Sequence, residues 1–421
     1  MKLALSFAVL AACAFGQVTY TREISRVFQE KCQGCHREGD IGPFVLDSYE
    51  AAMTWGEDIQ RVIETKQMPP WKPVAGHGEF QNNFGLSDEQ RDLILNWYRG
   101  GAPEGDLRDL PEPTAQTGEF QLGDPDVVLT MPQTYSLNRR GDIYRCFVIP
   151  TDFGVDRYTD AIQVVPGNRQ VVHHVILYLD TSGKARQMDG KDGNPGYDCF
   201  GGPGDGIPLT LSSMAGGWVP GTRAARLPEG VGTLLPKGVD VIMQVHYYPG
   251  GRTQQEDQTK VGLYFSRQEV NKRLVYMPVV NTSFRIPAGA ESYDVVANFP
   301  IPPLFDATAF LVSPHMHLLG TKFKLEKLKP NGTTESLIYV DDWDFNWQGF
   351  YKYQQPIRLN AFDRLRATCT FNNSEKNPKN PSNPLKVVRW GEGTEDEMCL
   401  GFLGVTFDRE NIIPFNMPIA F

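Results

Sequence analysis

The chain has 421 residues, of which 41% are hydrophobic and 22% are charged, and its formal net charge is −9. This composition is typical of a soluble globular protein, and the length predicts two to four domains. The negative charge, with no basic cluster in the sequence, argues against nucleic acid as a partner. Glycine and proline are abundant (41 and 31 residues), which favours a β architecture with many turns.

The first sixteen residues, MKLALSFAVLAACAFG, predict an export signal. Lys2 precedes a short apolar run, and small residues at Ala14 and Gly16 occupy the two positions that a signal peptidase recognises. We therefore expect a secreted or periplasmic protein. The stretch LAAC, ending at Cys13, resembles a lipobox, so a lipoprotein anchored at Cys13 remains the alternative and is the one membrane attachment that we predict.

Residues 17–101 have a helical pattern. In SDEQRDLILNWYRGG, Ser87 is a predicted N-cap with Gln90 three residues later, and a pair of glycines from Gly100 predicts the end of the helix. An earlier helix is expected over residues 49–66.

Residues 102–125 are rich in proline, glycine and acidic residues, which predicts a linker. From about residue 126 the sequence changes to short β-runs such as VDVIMQVHYYP and SYDVVANFPI. KFKLEKLKPNGTTESLIYV predicts a hairpin that turns at Asn331-Gly332. Strands at this spacing favour antiparallel sandwiches, which we place at residues 126–269 and 270–421.

CQGCH at residues 32–36 is the C-x-x-C-H signature of covalent haem attachment. Cys32 and Cys35 would bind the haem vinyl groups, and His36 would be an axial iron ligand. We predict Met68 as the sixth ligand, with His77 as its competitor. A redox dithiol or half of a zinc site is disfavoured, because neither a βαβ setting nor a second ligand pair accompanies the motif. Residues 17–101 resemble a small class I cytochrome c along their whole length.

Five further histidines lie in strand-like runs of the β region. His315 and His317 are two residues apart, so on a strand they would share one face. His173 and His174 are adjacent and would face opposite sides, unless the strand ends, twists or bulges there. Imidazole ligands without acidic clusters suit copper or zinc. Gln244, two residues before His246, either orients a ligand or is an ordinary sheet amide.

Four segments within about residues 126–421 resemble, in their order along the chain, segments of the copper type II, ascorbate-dependent monooxygenases. They are VVHHVILY, LPKGVDVIMQVHYYPG, SPHMHLLGTK and EDEMCLGF. The resemblance implies two consecutive jelly-roll-like β-sandwich domains, each with one copper site. It implies an electron-transfer copper and an oxygen-activating copper, the first held by His173, His174 and His246 and the second by His315, His317 and Met398. It also implies a disulfide between Cys369 and Cys399, whereas Cys146 and Cys199 match the family less cleanly, and we expect them to pair with each other.

The sequence departs from the peptide-amidating members of that family at two positions. Those members have an arginine and a tyrosine that bind the substrate carboxylate, where this chain has Ser313 and Phe402. A carboxylate would lose its bidentate cation here. We therefore expect a small apolar or aromatic substrate rather than a glycine-extended peptide.

The predicted fold class is a small all-α cytochrome c domain followed by two all-β antiparallel jelly-roll-like sandwich domains. The predicted function is an exported monooxygenase that hydroxylates a C–H bond with O2, with two copper ions and one covalent haem c as cofactors. Its electrons would come through the haem from a reductant or a redox partner protein. The alternative is a non-catalytic haem and copper protein that transfers electrons or binds copper.

Overall fold

The computed structural model describes residues 17–38, 40, 42–81, 83–113, 118–138, 141–220, 222–249, 254–391 and 393–416. The predicted export signal and Cys13 lie outside these residues. The chain divides into two compact units: the first contains the described residues within 1–38, 42–70 and 84–115, and the second those within 39–41, 71–83 and 116–421. No helix in the described part of the chain is both long and apolar enough to cross a membrane.

The first unit is helical. The helix predicted at SDEQRDLILNWYRGG is confirmed, because Ser87 and Gln90 form a reciprocal capping box and the helix ends at Gly100. Ile94 and Trp97 of that helix are buried. The elements of this unit are a π-helix (Tyr20–Ile24), α1 (Ser25–Lys31), α2 (Tyr49–Thr54), α3 (Gly56–Glu64), α4 (Asp88–Arg99) and a 3-10 helix (Leu107–Asp109).

The predicted fold class is wrong where it places a small all-α cytochrome c domain over residues 17–101. The described chain is mostly β-sheet with five short α-helices, and the helix expected over residues 49–66 is broken at Trp55. Residues 71–83 belong to the β unit, where Pro73 and Phe80 form β-bridges with Val340 and Tyr353. The physical reason is burial: Phe80 is 5% exposed within the sandwich core, so this segment does not close a helical domain.

The predicted antiparallel sandwiches fit the second unit. In the N-terminal sandwich, a sheet in the order β1-β11-β4-β8-β12 faces a sheet in the order β6-β3-β9-β5-β7, with a shared apolar core and a β10-β2 ribbon. The elements are β1 (Val127–Thr130), β2 (Tyr135–Leu137), β3 (Ile143–Pro150), β4 (Arg157–Val165), β5 (Val172–Asp180), α5 (Lys184–Met188), β6 (Tyr197–Asp198), β7 (Met214–Trp218), β8 (Val231–Leu235), β9 (Asp240–Tyr247), β10 (Gln255–Asp257), β11 (Lys260–Phe265) and β12 (Lys272–Arg273).

The C-terminal sandwich packs a sheet in the order β13-β22-β16-β19 on a sheet in the order β15-β20-β17-β18, beside a β14-β21 ribbon. The predicted hairpin is confirmed: β17 pairs antiparallel with β18, and Gly332 in the turn has a φ of 85°. The strands are β13 (Val275–Asn281), β14 (Arg285–Ile286), β15 (Tyr293–Pro300), β16 (Ala307–His315), β17 (Gly320–Leu328), β18 (Thr334–Val340), β19 (Tyr351–Leu359), β20 (Arg364–Phe371), β21 (Val388–Arg389) and β22 (Cys399–Phe407), followed by a 3-10 helix (Glu410–Ile412).

Both predicted disulfides are present. Cys146 on β3 is bonded to Cys199, just after β6, and Cys369 on β20 is bonded to Cys399 on β22. The second bond joins the two facing sheets of the C-terminal sandwich. Because Cys399 follows Met398 directly, this disulfide anchors the strand that begins beside Met398.

Candidate metal centres

Three histidines converge on two neighbouring strands of the N-terminal sandwich. β5 and β9 pair antiparallel with His174 opposite His246, and the register shifts between Val172 and His174. For both adjacent histidines to face one side, the strand has to end, twist or bulge there, and this irregularity in the register meets that condition. The Nδ1 atom of His173 lies 3.2 Å from that of His174 and 3.1 Å from that of His246, and the remaining separation is 3.4 Å.

The donor set of this cluster fits a bound metal ion. Nε2 of His246 lies 2.9 Å from Oδ1 of Asp142, so this nitrogen donates its proton to the carboxylate and Nδ1 presents a lone pair. An ion bound about 2.0–2.1 Å from each imidazole nitrogen separates the nitrogens by roughly 3.3–3.6 Å in tetrahedral or trigonal geometry. The observed triangle is slightly tighter, and all ligand atoms of the group lie within 4.8 Å of one another.

Aromatic rings enclose this three-histidine cluster. Tyr144 stacks on His246 with ring centroids 4.2 Å apart, and Phe345 stacks on His173 at 5.6 Å. Burial, and then the charges of neighbouring histidines that include His315 and His317, hold the pKa of His174 well below its usual value. Burial does the same to the pKa of His246. The imidazoles are therefore neutral at physiological pH, which is the form that binds a metal.

A second pair of histidines lies where β16 ends. Met316 is fully buried in the core, whereas His315 and His317 flank it with ring centroids 5.1 Å apart. Nδ1 of His315 lies 2.5 Å from Oε1 of Gln348, and Nδ1 of His317 lies 3.0 Å from the carbonyl oxygen of Asp396. Since each Nδ1–H donates to an oxygen, both Nε2 atoms remain to bind a metal.

Glu397 ties the histidine pair to the segment that carries Met398. Its carboxylate accepts hydrogen bonds from the backbone N–H of His317 at 2.9 Å, of Leu319 at 2.6 Å and of Met398 at 3.3 Å. Glu397 is fully buried, and burial raises its pKa to about 8 despite these backbone donors. The backbone of Met398 is therefore held to the loop of the two histidines through one carboxylate.

The second pair is also buried. Burial, and then the charge of His317, lower the pKa of His315 to about 3. Burial lowers the pKa of His317 to about 4, although hydrogen bonds to backbone oxygens oppose this shift. Both rings are thus neutral and desolvated over the whole physiological range.

The other residues singled out from the sequence lie elsewhere. Gln244 donates to the carbonyl oxygens of Cys199 and Gly202, both at 2.8 Å, so it acts as a sheet amide that fastens the disulfide loop. His77 lies in the second unit, where Nδ1 is 2.8 Å from Oγ of Ser336.

The C-x-x-C-H residues and Met68 lie in the helical unit. Cys32 and Cys35 take part in neither disulfide, and Nδ1 of His36 lies 3.1 Å from the carbonyl oxygen of Phe44, which leaves Nε2 of His36 to bind a metal. Met68 is half-buried just after α3, and its N–H donates to the carbonyl oxygen of Val62 at 3.0 Å.

Sequence analysis missed the groups that orient the histidines. Glu397 could have been singled out because it directly precedes Met398. Two further acidic residues, Glu395 and Asp396, precede it, so the sequence does not distinguish it from them. No sequence pattern indicates the other three groups, because each lies far along the chain from the ring that it contacts. These are Asp142, Gln348 and Phe345.

Residues 299–406 match the model of the family "Copper type II ascorbate-dependent monooxygenase, C-terminal domain". The chain is 24% identical over 297 residues to DBH-like monooxygenase protein 1 of Mus musculus, covering 64% of this chain and 45% of that protein. It is 21% identical over 254 residues to dopamine beta-hydroxylase of Canis lupus familiaris, covering 57% and 38%. The chain thus spans less than half the length of these curated relatives.

Among solved structures, that of infectious bursal disease virus Gx strain covers 69% of this chain and 73% of the viral chain at 9% identity. The TM-score of that match is 0.21. His315, His317 and Met398 all lie inside the segment matched by the family model. Residues 299–406 are therefore similar to the C-terminal domain of the copper type II ascorbate-dependent monooxygenases, and the chain is similar at low identity to DBH-like monooxygenase protein 1 and dopamine beta-hydroxylase.

Proposed function

We propose that this chain is a copper-dependent monooxygenase that hydroxylates a C–H bond of a small organic substrate with O2. One observation carries the proposal: two separate imidazole sets lie in one β unit, and His246, His315 and His317 each have one ring nitrogen hydrogen-bonded to an oxygen and the other left for a metal. The match of residues 299–406 supports the same activity.

The first copper would be held by Nδ1 of His173, His174 and His246, and the second by Nε2 of His315 and His317 with the thioether of Met398. Bound copper would supply one-electron redox chemistry and O2 binding, and a thioether ligand favours its reduced state. The protein fixes the tautomers of His246, His315 and His317 through Asp142, Gln348 and the carbonyl oxygen of Asp396 respectively. Burial keeps the rings neutral, so copper binding displaces no proton from them.

We propose an apolar or aromatic substrate. Ser313 and Phe402 face each other on β16 and β22, the positions where the peptide-amidating pattern would need a cation and a phenol. Phe402 packs with Met214, Tyr276 and Leu311 in an apolar cluster. A substrate carboxylate would be desolvated against such side chains without compensation.

We further propose that Cys32 and Cys35 bind a haem c covalently, with His36 as one axial ligand and Met68 as the other. The orientation of the His36 ring by the carbonyl oxygen of Phe44 supports this assignment. The haem would pass electrons from a reductant or redox partner protein towards the copper sites. The two disulfides fit an oxidising compartment, which supports a secreted or periplasmic location.

The test is metal analysis of the purified full chain, followed by incubation of the reduced protein with apolar and aromatic small molecules under labelled O2. We expect two copper ions for each chain and a product that gains one labelled oxygen atom. Bound copper without turnover of any such substrate would indicate the alternative, a copper or electron carrier. Zinc in place of copper would overturn the proposal.

A further inference from the structure

One irregular segment, residues 343–348, contacts the second histidine pair from outside the sheet. Nε1 of Trp343 donates to the carbonyl oxygen of His317 at 3.2 Å, and Oε1 of Gln348 accepts from Nδ1 of His315. Nε2 of Gln348 in turn donates to the carbonyl oxygen of Phe345 at 2.8 Å. The position of Phe345 is therefore fixed by the same amide that orients His315.

The phenyl ring of Phe345 touches a histidine of each metal site. Its centroid lies 5.6 Å from that of His173 in a stacked geometry, and 6.0 Å from that of His317 in an edge geometry. It also lies 6.4 Å from the ring of His246. These separations fall within the range of about 4.5–7 Å at which aromatic rings attract one another. Phe345 is 9% exposed, so protein surrounds the ring on most sides.

A second link joins the same two sites. Oγ1 of Thr394 donates to Oδ2 of Asp142 at 3.3 Å, and the other oxygen of Asp142 accepts from His246. Thr394 lies four residues before Met398, in the segment that also carries Glu397. The outward side of the first site is thus hydrogen-bonded to the segment that completes the second.

We propose that Phe345 is a positioning residue that fixes the separation of the two metal centres and fills the space between them. The inference rests on the proposed function, since it requires both sites to hold copper. A phenyl ring neither binds copper nor carries a proton, so its contribution is steric and apolar. A smaller side chain would leave a void between His173 and His317, and the rings around it would relax only in part.

The test uses the full chain with Cu(II) in both sites and measures the distribution of copper–copper distances by pulsed dipolar EPR. We expect one narrow distance for the wild type and for Phe345→Tyr, which keeps the ring. Phe345→Leu should give a distribution roughly twice as wide or a shifted mean, because the void lets both sites move. The matched control is Phe284→Leu, which removes a ring that stacks on Phe371 and should leave the distance unchanged.

The outcomes separate this inference from the proposed function. If the wild type holds two coppers at one distance and Phe345→Leu gives the same distribution, the inference is overturned and the proposed function stands. If the wild type holds fewer than two coppers, the proposed function itself fails. Should Phe345→Leu fail to fold, Thr394→Val removes the second link, and the inference predicts that this variant keeps a single distance as long as Phe345 is present.

Discussion

The carboxylate of Asp142 lies 2.9 Å from Nε2 of His246, on the opposite edge of the ring from the three converging Nδ1 atoms. This pair makes His246 a donor on one side and leaves a lone pair on its Nδ1 on the other. It also explains how a fully buried ring is held in one tautomer.

Asp142→Ala should weaken copper binding at the three-histidine site by about 10- to 100-fold, the usual effect of losing the partner that orients a metal-binding histidine. The measurement is a competition titration with a copper(I) chelator. The matched control is Asp126→Ala, which removes a carboxylate paired with Arg267 at 2.5 Å and should leave the affinity unchanged. Equal affinities for wild type and Asp142→Ala would show that the contact does not orient the ring.

Copper(I) affinity at the second histidine pair should stay nearly constant between pH 7 and pH 5. With pKa values lowered to about 3 and about 4, His315 and His317 stay neutral in this range, so protons do not compete with the metal. A histidine with an ordinary pKa of about 6.5 would lose affinity up to tenfold for each pH unit below that value. Such a loss in a chelator competition series would contradict the burial of these rings.

In the copper-free protein, Glu397→Gln should change how the free energy of unfolding depends on pH. The pKa of Glu397 rises from 4.5 to about 8 on folding, so the folded protein keeps a proton that the unfolded chain releases. Wild-type stability therefore carries a component that falls as pH rises between these values, by up to about 1.4 kcal/mol per pH unit, and glutamine lacks it. In urea unfolding at pH 5, 6.5 and 8, the advantage of the wild type over Glu397→Gln should shrink steadily.

The control for this series is Glu395→Gln, because Glu395 is an exposed neighbour that pairs with Lys386. Its stability should track the wild type across the three pH values. A constant difference between wild type and Glu397→Gln would mean that the buried carboxyl group does not titrate differently on folding.

The double variant Cys32→Ala/Cys35→Ala should lose covalent haem, because no thioether bond can then form. Haem staining of denatured protein on a gel measures this directly. Gln33→Ala is the control, since Gln33 lies between the cysteines and its side-chain amide donates to the carbonyl oxygen of Leu46 at 3.0 Å. Wild-type protein without covalent haem, when produced in a host that attaches haem c, would remove the haem from the proposed function.

Local sequence patterns were enough to predict several features. The capping box at Ser87 and the hairpin at Asn331-Gly332 depend on a few consecutive residues and on the fixed periods of helix and strand, and the adjacent histidines implied that the strand ends, twists or bulges at His173. The histidines of both sites also carried their own signal, because imidazoles are rare in this chain and recur in strand-like runs.

Other features depend on contacts that no local pattern encodes. Residues 71–83 follow a helical stretch, yet Phe80 packs against Tyr353 with ring centroids 5.4 Å apart, and this tertiary burial removes the segment from the expected cytochrome c domain. Phe345 contacts His173 across more than 170 positions of sequence. Such partners become visible only when the sheets are assembled.

The proposed function is tested most directly by a crystal structure of the copper-loaded full chain with anomalous diffraction at the copper edge. We predict two copper peaks, one among the Nδ1 atoms of His173, His174 and His246, and one beside Nε2 of His315 and His317 within bonding distance of the Met398 sulfur. A single peak, or a second peak without Met398 as a ligand, would contradict it.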